Sequence, residues 1–299
     1  MMMEDAEVEK GTSLWADAWQ RLQKNRLSMV CLYTFGAVSL ICFLGAWIYP
    51  VDPNATNLEN RSQSPSLDHP FGTEHLGRDL FARMLHGGTI SLTVGFVATL
   101  VSVTIGIVYG TIAGYVGGRV DAILMRIVDV LYSLPFTIIV ILLATFFGDY
   151  LRERNIDEIW VLLVAIGCVE WLTMARIVRG QILSLKKQAF VEAAVSLGHH
   201  PLWIMFRHLV PNVLGPVIVY TTLTVPAVMR LEAILSFLGL GIQPPKSSWG
   251  TLIKEGADRM QSDPWLLFLP ALVFSVTLFC LNFLGDGLRD ALDPKSSRD

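Results

Sequence analysis

The sequence predicts an all-α membrane protein with six transmembrane helices and both termini in the cytoplasm, and three observations lead there. Of its 299 residues, 53% are hydrophobic and only 16% are charged, whereas soluble proteins carry about 25% charged residues. The mean hydropathy is +0.51. The apolar residues are gathered into six blocks almost free of charge, and about 20 such residues span the hydrocarbon core of a bilayer as a helix. A soluble enzyme is excluded. A net charge of −3 supplies no basic field for nucleic acid.

Residues 1–27 are expected to form a cytoplasmic amino terminus. It opens acidic, with Glu4, Asp5, Glu7 and Glu9, so no cleavable signal peptide is expected. Trp15, Ala18, Trp19 and Leu22 then recur at helical spacing, with Asp17, Arg21, Lys24 and Arg26 on other faces. That is the pattern of a helix lying in the membrane interface; the alternative is a short soluble amphipathic helix. The first span, 28–49, ends on Trp47 and Tyr49 as interfacial anchors. Residues 50–83, rich in Pro, Asn, Ser and Asp, read as an exposed external loop.

The remaining spans form a membrane core over 84–284. The second span, 88–116, carries Ser102, Gly106, Gly110 and Gly114 four apart, beside a second row of Ser91, Gly95 and Thr99. Small residues at this spacing let helix backbones approach closely, so the stripe is a helix-packing surface for this chain or another subunit. The third span, 128–148, contains Pro135, tolerable where neighbours satisfy the freed carbonyl. The fourth, 159–175, holds Glu170 about 9 Å inside from Arg176, with Trp171 beside it. An ionisable group at that depth is a candidate for a transport pathway; the alternative is an ion pair with Arg176 or a neighbouring helix. A basic segment, 176–210, precedes the fifth span at 213–229. Arg230 and Glu232 are expected at the outer interface, followed by a broken apolar stretch ending in Gln243-Pro244-Pro245. The sixth span is 265–284 and the cytoplasmic tail 285–299. With the amino terminus inside, 14 of the 23 lysines and arginines fall on the cytoplasmic side and 9 outside, a modest bias in the sense that sets topology.

Catalytic patterns are missing. No GxxxxGK[ST] loop cradles phosphate, and Gly239-Leu240-Gly241 lacks a third glycine, with Pro244 in its place. His199 and His200 are adjacent, hence on different helix faces, and nothing near them completes a metal shell. Cys31, Cys42, Cys168 and Cys280 all lie in apolar blocks and read as small hydrophobes. The informative segment is 185–212. Residues 185–197 can form a short helix that Gly198 terminates, and Pro201 can begin a second helix running up to Pro211. Ordering such a pair costs entropy that a flexible connector avoids.

The spacing Glu192-Ala193-Ala194, three residues, Gly198, then Pro211 thirteen residues on resembles the signature of permease subunits of ATP-binding-cassette importers. His208 with Pro211-Asn212 resembles the His-x-x-Pro-Asn ending of their peptide-transport branch. The likeness extends to Phe71-Gly72-Thr73, Gly77-Arg78-Asp79, and Arg126, Asp129, Ser133 and Pro135. It continues through Leu235-Ser236-Phe237-Leu238-Gly239-Leu240-Gly241, Ser248-Trp249-Gly250, and Asn282 to Asp290 with Asp293-Pro294. The chain thus resembles the C-type permease subunits of dipeptide, oligopeptide and nickel importers, and Met174 to Gln181 looks closest to the oligopeptide member.

The resemblance implies a type I importer permease fold and a non-catalytic translocation subunit in the bacterial cytoplasmic (inner) membrane. It also implies a B-type permease partner, two cytoplasmic ATPases that bind ATP and Mg, and an external or periplasmic peptide-binding protein. Glu192, Ala193, Ala194, Gly198, His208, Pro211 and Asn212 would couple the chain to an ATPase. Dipeptide or nickel cargo stays open, since in this family cargo selection rests mainly with the binding protein. Two other classes are an ion-coupled secondary transporter, which often shows two similar halves, and a channel or scaffold, for which the Glu-Ala-Ala segment has no task.

Overall fold

The computed structural model describes residues 14–154 and 158–292; the acidic residues 4–9 and Asp293-Pro294 lie outside them. Helix α1 (Leu14–Lys24) is followed at once by α2 (Arg26–Ile48), with Asn25 capping α2 by accepting the Ser28 amide at 3.2 Å. Ala18 and Leu22 of α1 are buried against Met29, Leu284, Ala291 and Leu292. Ala18 and Leu22 of this amphipathic helix are thus covered by the end of the chain, while Trp19 stays 48% exposed.

Residues 49–79 form a folded cap, although most of residues 50–70 are exposed as their composition suggests. Gly77, at φ +72, allows no side chain: a Cβ there would fall 1.6 Å from the Asn57 carbonyl oxygen. Glu74 accepts from both Arg78 and Arg83. Arg83, only 2% exposed, also forks onto Glu255 at 2.5 and 3.1 Å. Ser62 donates to Asp263 at 3.0 Å. Tyr49, expected as a lipid anchor, instead points its hydroxyl at Asp79, 3.5 Å away, and sets its ring edge-on to Phe81. The cap is thus bound to the elements that precede the last helix.

Helix α3 (Leu80–Val116) is 37 residues long, roughly 55 Å at 1.5 Å per residue. It starts eight residues before the expected span because Asp79 caps it, accepting the Ala82 amide at 2.8 Å. The third expected span is broken. α4 (Gly118–Ser133) and α5 (Phe136–Arg152) meet at 93°, since Leu134, preceding Pro135, is extended at φ −85, ψ 140. A residue before proline avoids the helical region.

α6 (Glu158–Leu185) runs ten residues past the expected end of the fourth span. Its backbone lies directly on the glycine stripe of α3. A Cβ on Gly106 would fall 2.5 Å from Met174 Cβ, one on Gly110 2.5 Å from the Ala175 carbonyl oxygen, and one on Gly114 2.8 Å from Ile182 Cβ. Gly95, three turns before Gly106 along α3, meets Met229 instead.

After α7 (Ala189–Ser196), α8 (Pro201–Ile204) passes through a π-helical turn (Met205–Leu209) into α9 (Val210–Phe237), so that 201–237 forms one continuous 37-residue helix. The second helix expected to stop near Pro211 does not stop. Pro211 cannot donate an amide to the carbonyl four residues back, and the chain accommodates it by widening one turn, with the Val210 amide donating to the Met205 carbonyl. α9 ends where Gly239, at φ +79, lets the Gly239 and Leu240 amides return to Ser236 and Leu235. α10 (Trp249–Asp258) folds back over this end and α11 (Trp265–Leu292) closes the structure. The fully buried Trp249 wedges against α3, donating its indole N–H to the Met84 carbonyl at 3.1 Å.

Among the described residues, four helices are long and apolar enough to cross a membrane: α2, α3, the 201–237 helix and α11. The bent α4–α5 pair supplies a fifth if it counts as one span.

Glycine substitutions test the α3–α6 contact. Gly110→Val overpacks it and is expected to destabilise by about 1–3 kcal/mol, read as a lower thermal midpoint and poorer recovery of the detergent-extracted protein. Gly36→Ala in α2, where nothing lies within 4 Å, should leave the midpoint unchanged. Equal effects at both positions would remove the stripe's special role.

Candidate coupling segment and transport face

The segment after α6 is built as a rigid bracket. Lys186 turns its ammonium onto the Tyr115 carbonyl at the end of α3, and α7 follows. Gly198, at φ +76 with open space around it, closes α7: its amide returns to the Val195 carbonyl at 2.9 Å and that of His199 to the Ala194 carbonyl at 3.2 Å. This double return is the glycine-dependent helix stop. His200 then caps α8 by accepting the Leu202 amide at 3.3 Å, and Pro201 sits in the first turn.

Val191 and Ala194 form the inner face of α7, in one apolar cluster with Met174, Val178 and Ile182 of α6, Leu209 of the π turn, and Val213 and Val217 of α9. Glu192 and Ala193 face outward. His208 is half-buried beside two aromatic rings, 6.2 Å from Phe190 and 4.8 Å edge-on to Trp203. Asn212 donates to the His208 carbonyl at 2.6 Å, while Pro211 is exposed beside the π turn. Val195, Leu197, Leu202 and Phe206 are all more than half exposed, Leu197 at 76%. Apolar residues thus project from the bracket with a carboxylate among them.

A second feature runs along α6. Glu170, Thr173 and Arg176 follow one another at i, i+3 and i+6, which places them on one face. Arg176 does not pair with Glu170. It donates to Asp129 of α4 at 2.7 Å and stacks 4.1 Å over the Tyr132 ring, and Tyr132 also bonds Thr173. The cation whose field reaches Glu170 is Arg230 of α9. Asp129, Tyr132, Thr173, Arg176 and Arg230 are exposed and Glu170 is half-buried, so a polar strip crosses α4, α6 and α9 in an otherwise apolar surface. Trp171 is directed elsewhere, its ring 4.6 Å from that of Tyr109, and serves packing between α3 and α6. The i, i+3, i+6 polar row was the available sequence signal for Thr173 and Arg176; Asp129 and Tyr132 join only through folding.

Glu232 corrects another expectation. It is fully buried, because α9 continues past it and α10 covers it. Ser236 donates to it at 2.7 Å and Ser91 at 3.2 Å, and Ser91 in turn accepts the Trp249 amide at 3.1 Å. Hydroxyl donors offset the cost of burying a carboxyl, and the cluster joins α3, α9 and α10.

On the cap, burial opposes the charge of Glu255, but the hydrogen bonds and charge of Arg83 outweigh it, and the carboxyl titrates below its ordinary range. A lowered carboxyl contributes stability that is complete above its unfolded value, about pH 4.3, and is lost as pH falls through the folded value. The thermal midpoint should therefore stay flat from neutral pH to about 5. Glu255→Gln should lower it at neutral pH and take away part of its acid-side fall. Matching midpoints at neutral pH would detach Glu255 from the network.

These features define a helical membrane subunit with an outward docking bracket. Residues 106–298 match the family of binding-protein-dependent transport system inner membrane components, and residues 13–65 match the N-terminal TM domain of oligopeptide transport permease C. The chain belongs to the binding-protein-dependent transport system inner membrane components. Among its relatives, the oligopeptide transport system permease protein OppC of Escherichia coli K12 is 49% identical, covering 98% of this chain and 94% of the relative. That of Haemophilus influenzae is 46% identical over 98% and 92%. The dipeptide transport system permease protein DppC of Bacillus subtilis is 43% identical over 98% and 90%. The inward-facing MetNI methionine ABC transporter shares the fold, with a TM-score of 0.57 at 17% identity over 71% of this chain and 96% of that one.

Proposed function

We propose that this chain is the permease subunit of an ATP-driven importer that carries oligopeptides into the cytoplasm of a bacterium. The observation that carries the mechanism is the bracket formed by α7, Gly198 and the 201–237 helix, seated on the ends of α6 and α9. Across the bracket, Glu192 and Ala193 meet a cleft of a cytoplasmic ATPase, which binds ATP and Mg. A B-type permease completes the pathway, and an external binding protein delivers the peptide. Closure of the ATPases pushes the bracket, and because Val191 and Ala194 of α7 share one apolar cluster with residues of α6 and α9, the push moves those helices together. That shifts the pathway's access from one side of the membrane to the other. In this reading α6 supplies the remaining span, the fourth in chain order, and the contact of α1 with the end of α11 keeps both termini on the cytoplasmic side of the inner membrane. The polar strip offers carboxylate, guanidinium and hydroxyl groups suited to the two charged ends and amides of a peptide.

High identity to oligopeptide permeases supports the longer cargo, while the DppC relative keeps dipeptides as the second reading. Uptake of labelled di-, tri- and pentapeptides with and without this chain separates them: loss of the longer peptides is expected, and loss of dipeptides alone would reverse the cargo.

Gly198 tests the bracket. Its surroundings are open, so substitution acts through the left-handed backbone, at about 1–2 kcal/mol for an ordinary residue, with asparagine tolerated best. Peptide-stimulated ATP hydrolysis should fall in the order Gly198, Asn, Ala, and Gly198→Asp should abolish transport while the chain still inserts. Normal uptake by Gly198→Asp would sink the assignment. In the strip, Glu170→Gln should reduce uptake about fivefold, the scale of one modest ionic contact, at unchanged expression. Unchanged rates for all peptides would retire Glu170 from the pathway.

A further inference from the structure

Glu170 and Arg230 are opposite charges set near one another without contact. Among the described residues, α6 closes ion pairs through Arg176 to Asp129 and through Arg179 to Asp121, but none joins Glu170 to Arg230. Helix packing accounts for the gap. α3 and α6 run in the same direction, since Gly106, Gly110 and Gly114 meet Met174, Val178 and Ile182 in turn. Glu170 lies one turn before Met174, whereas Arg230 follows Met229, which meets Gly95. Counted along α3, Arg230 therefore stands roughly two turns from Glu170, on the side away from Arg176. That is close enough for its field to act on Glu170. Arg230 is exposed and Glu170 half-buried, so neither group is spent on packing.

Ionisable groups at membrane depth mark substrate paths. A lone carboxylate on such a path attracts basic cargo and repels acidic cargo, and a low dielectric strengthens that bias. A cation near it, but not bonded to it, offsets the bias while leaving both groups free. We propose that Arg230 is a specificity-determining residue, balancing Glu170 so that the strip favours neither acidic nor basic peptides. Arg176 cannot take this part, because its guanidinium is held by Asp129 and stacked on Tyr132. The inference rests on the reading of this chain as a peptide permease and adds what its polar strip selects.

Initial uptake rates of labelled trialanine, and of its analogues with lysine or glutamate in the middle, test it. They are measured in vesicles holding the assembled transporter at matched protein content, with its binding protein and ATP. Arg230→Gln should raise the lysine-to-glutamate rate ratio about fivefold over the unaltered transporter, the scale of one partly solvated ionic contact. Glu170→Gln should lower it by a similar factor, and decides the matter alone if Arg230→Gln does not assemble. The double variant should return the ratio near its starting value, and Arg230→Lys, which keeps the charge, should leave it there. Slower uptake of all three peptides at an unchanged ratio would mark a structural pair and overturn the inference. If the unaltered transporter carries no trialanine, the peptide reading falls and this inference with it. An unmoved ratio with trialanine still carried sinks the inference alone.

Discussion

The close contact of α3 with α6 is the constraint on which the other elements depend. Lipid tails are as apolar as leucine, so membrane helices associate through packing and hydrogen bonds rather than through exclusion of water. Gly106, Gly110 and Gly114 remove the side chains that would hold the two backbones apart, and dispersion contacts accumulate over three turns. Once α6 is fixed in this way, its carboxyl end positions Val178 and Ile182 to receive α7. Three turns nearer its start, α3 receives α9 where Gly95 meets Met229. One helix therefore sets the spacing of both helices that carry the bracket.

Polar burial complements this packing at the other end of the chain. Arg83 with Glu74 and Glu255, and Glu232 with its serines, place charged or polar groups where water is excluded. Each is costly alone and tolerable only when its partners are in place. The consequence is geometric specificity: the cap, α3, α9 and α10 fit together in the one arrangement that satisfies these groups. The bracket lies at the far end of α9 from Glu232, so a displacement there is delivered to a helix whose other end is tied to α3 and α10.

Much of the architecture was legible in the sequence because its signals are local. Apolar block length marks the helices, glycine at every fourth position marks the packing stripe, and Gly198 and Pro201 mark one helix stop and one start. The segment Glu192–Asn212 could be located from its spacing alone. The strip on α6 was half visible: Glu170 stood out as a charge in an apolar run, but its relation to Arg230, and the diversion of Arg176 to Asp129, depend on which helices lie side by side. Trp171 looked like a neighbour of the pathway and turned out to pack on Tyr109, since adjacent helical residues point about 100° apart.

By itself the sequence determined that the chain lives in a membrane, which helix face packs closely, and where the helix pair of the bracket turns. Tertiary structure decided the rest: that Pro135 breaks a helix whereas Pro211 is absorbed in a π turn, that residues 50–83 fold into a cap, and that Glu232 is buried rather than interfacial. The physical reason is the same in each case. Hydropathy and turn propensity act along the chain, but the fate of a proline, a carboxylate or a polar loop is set by whether a partner from a distant segment satisfies it, and only folding brings that partner near.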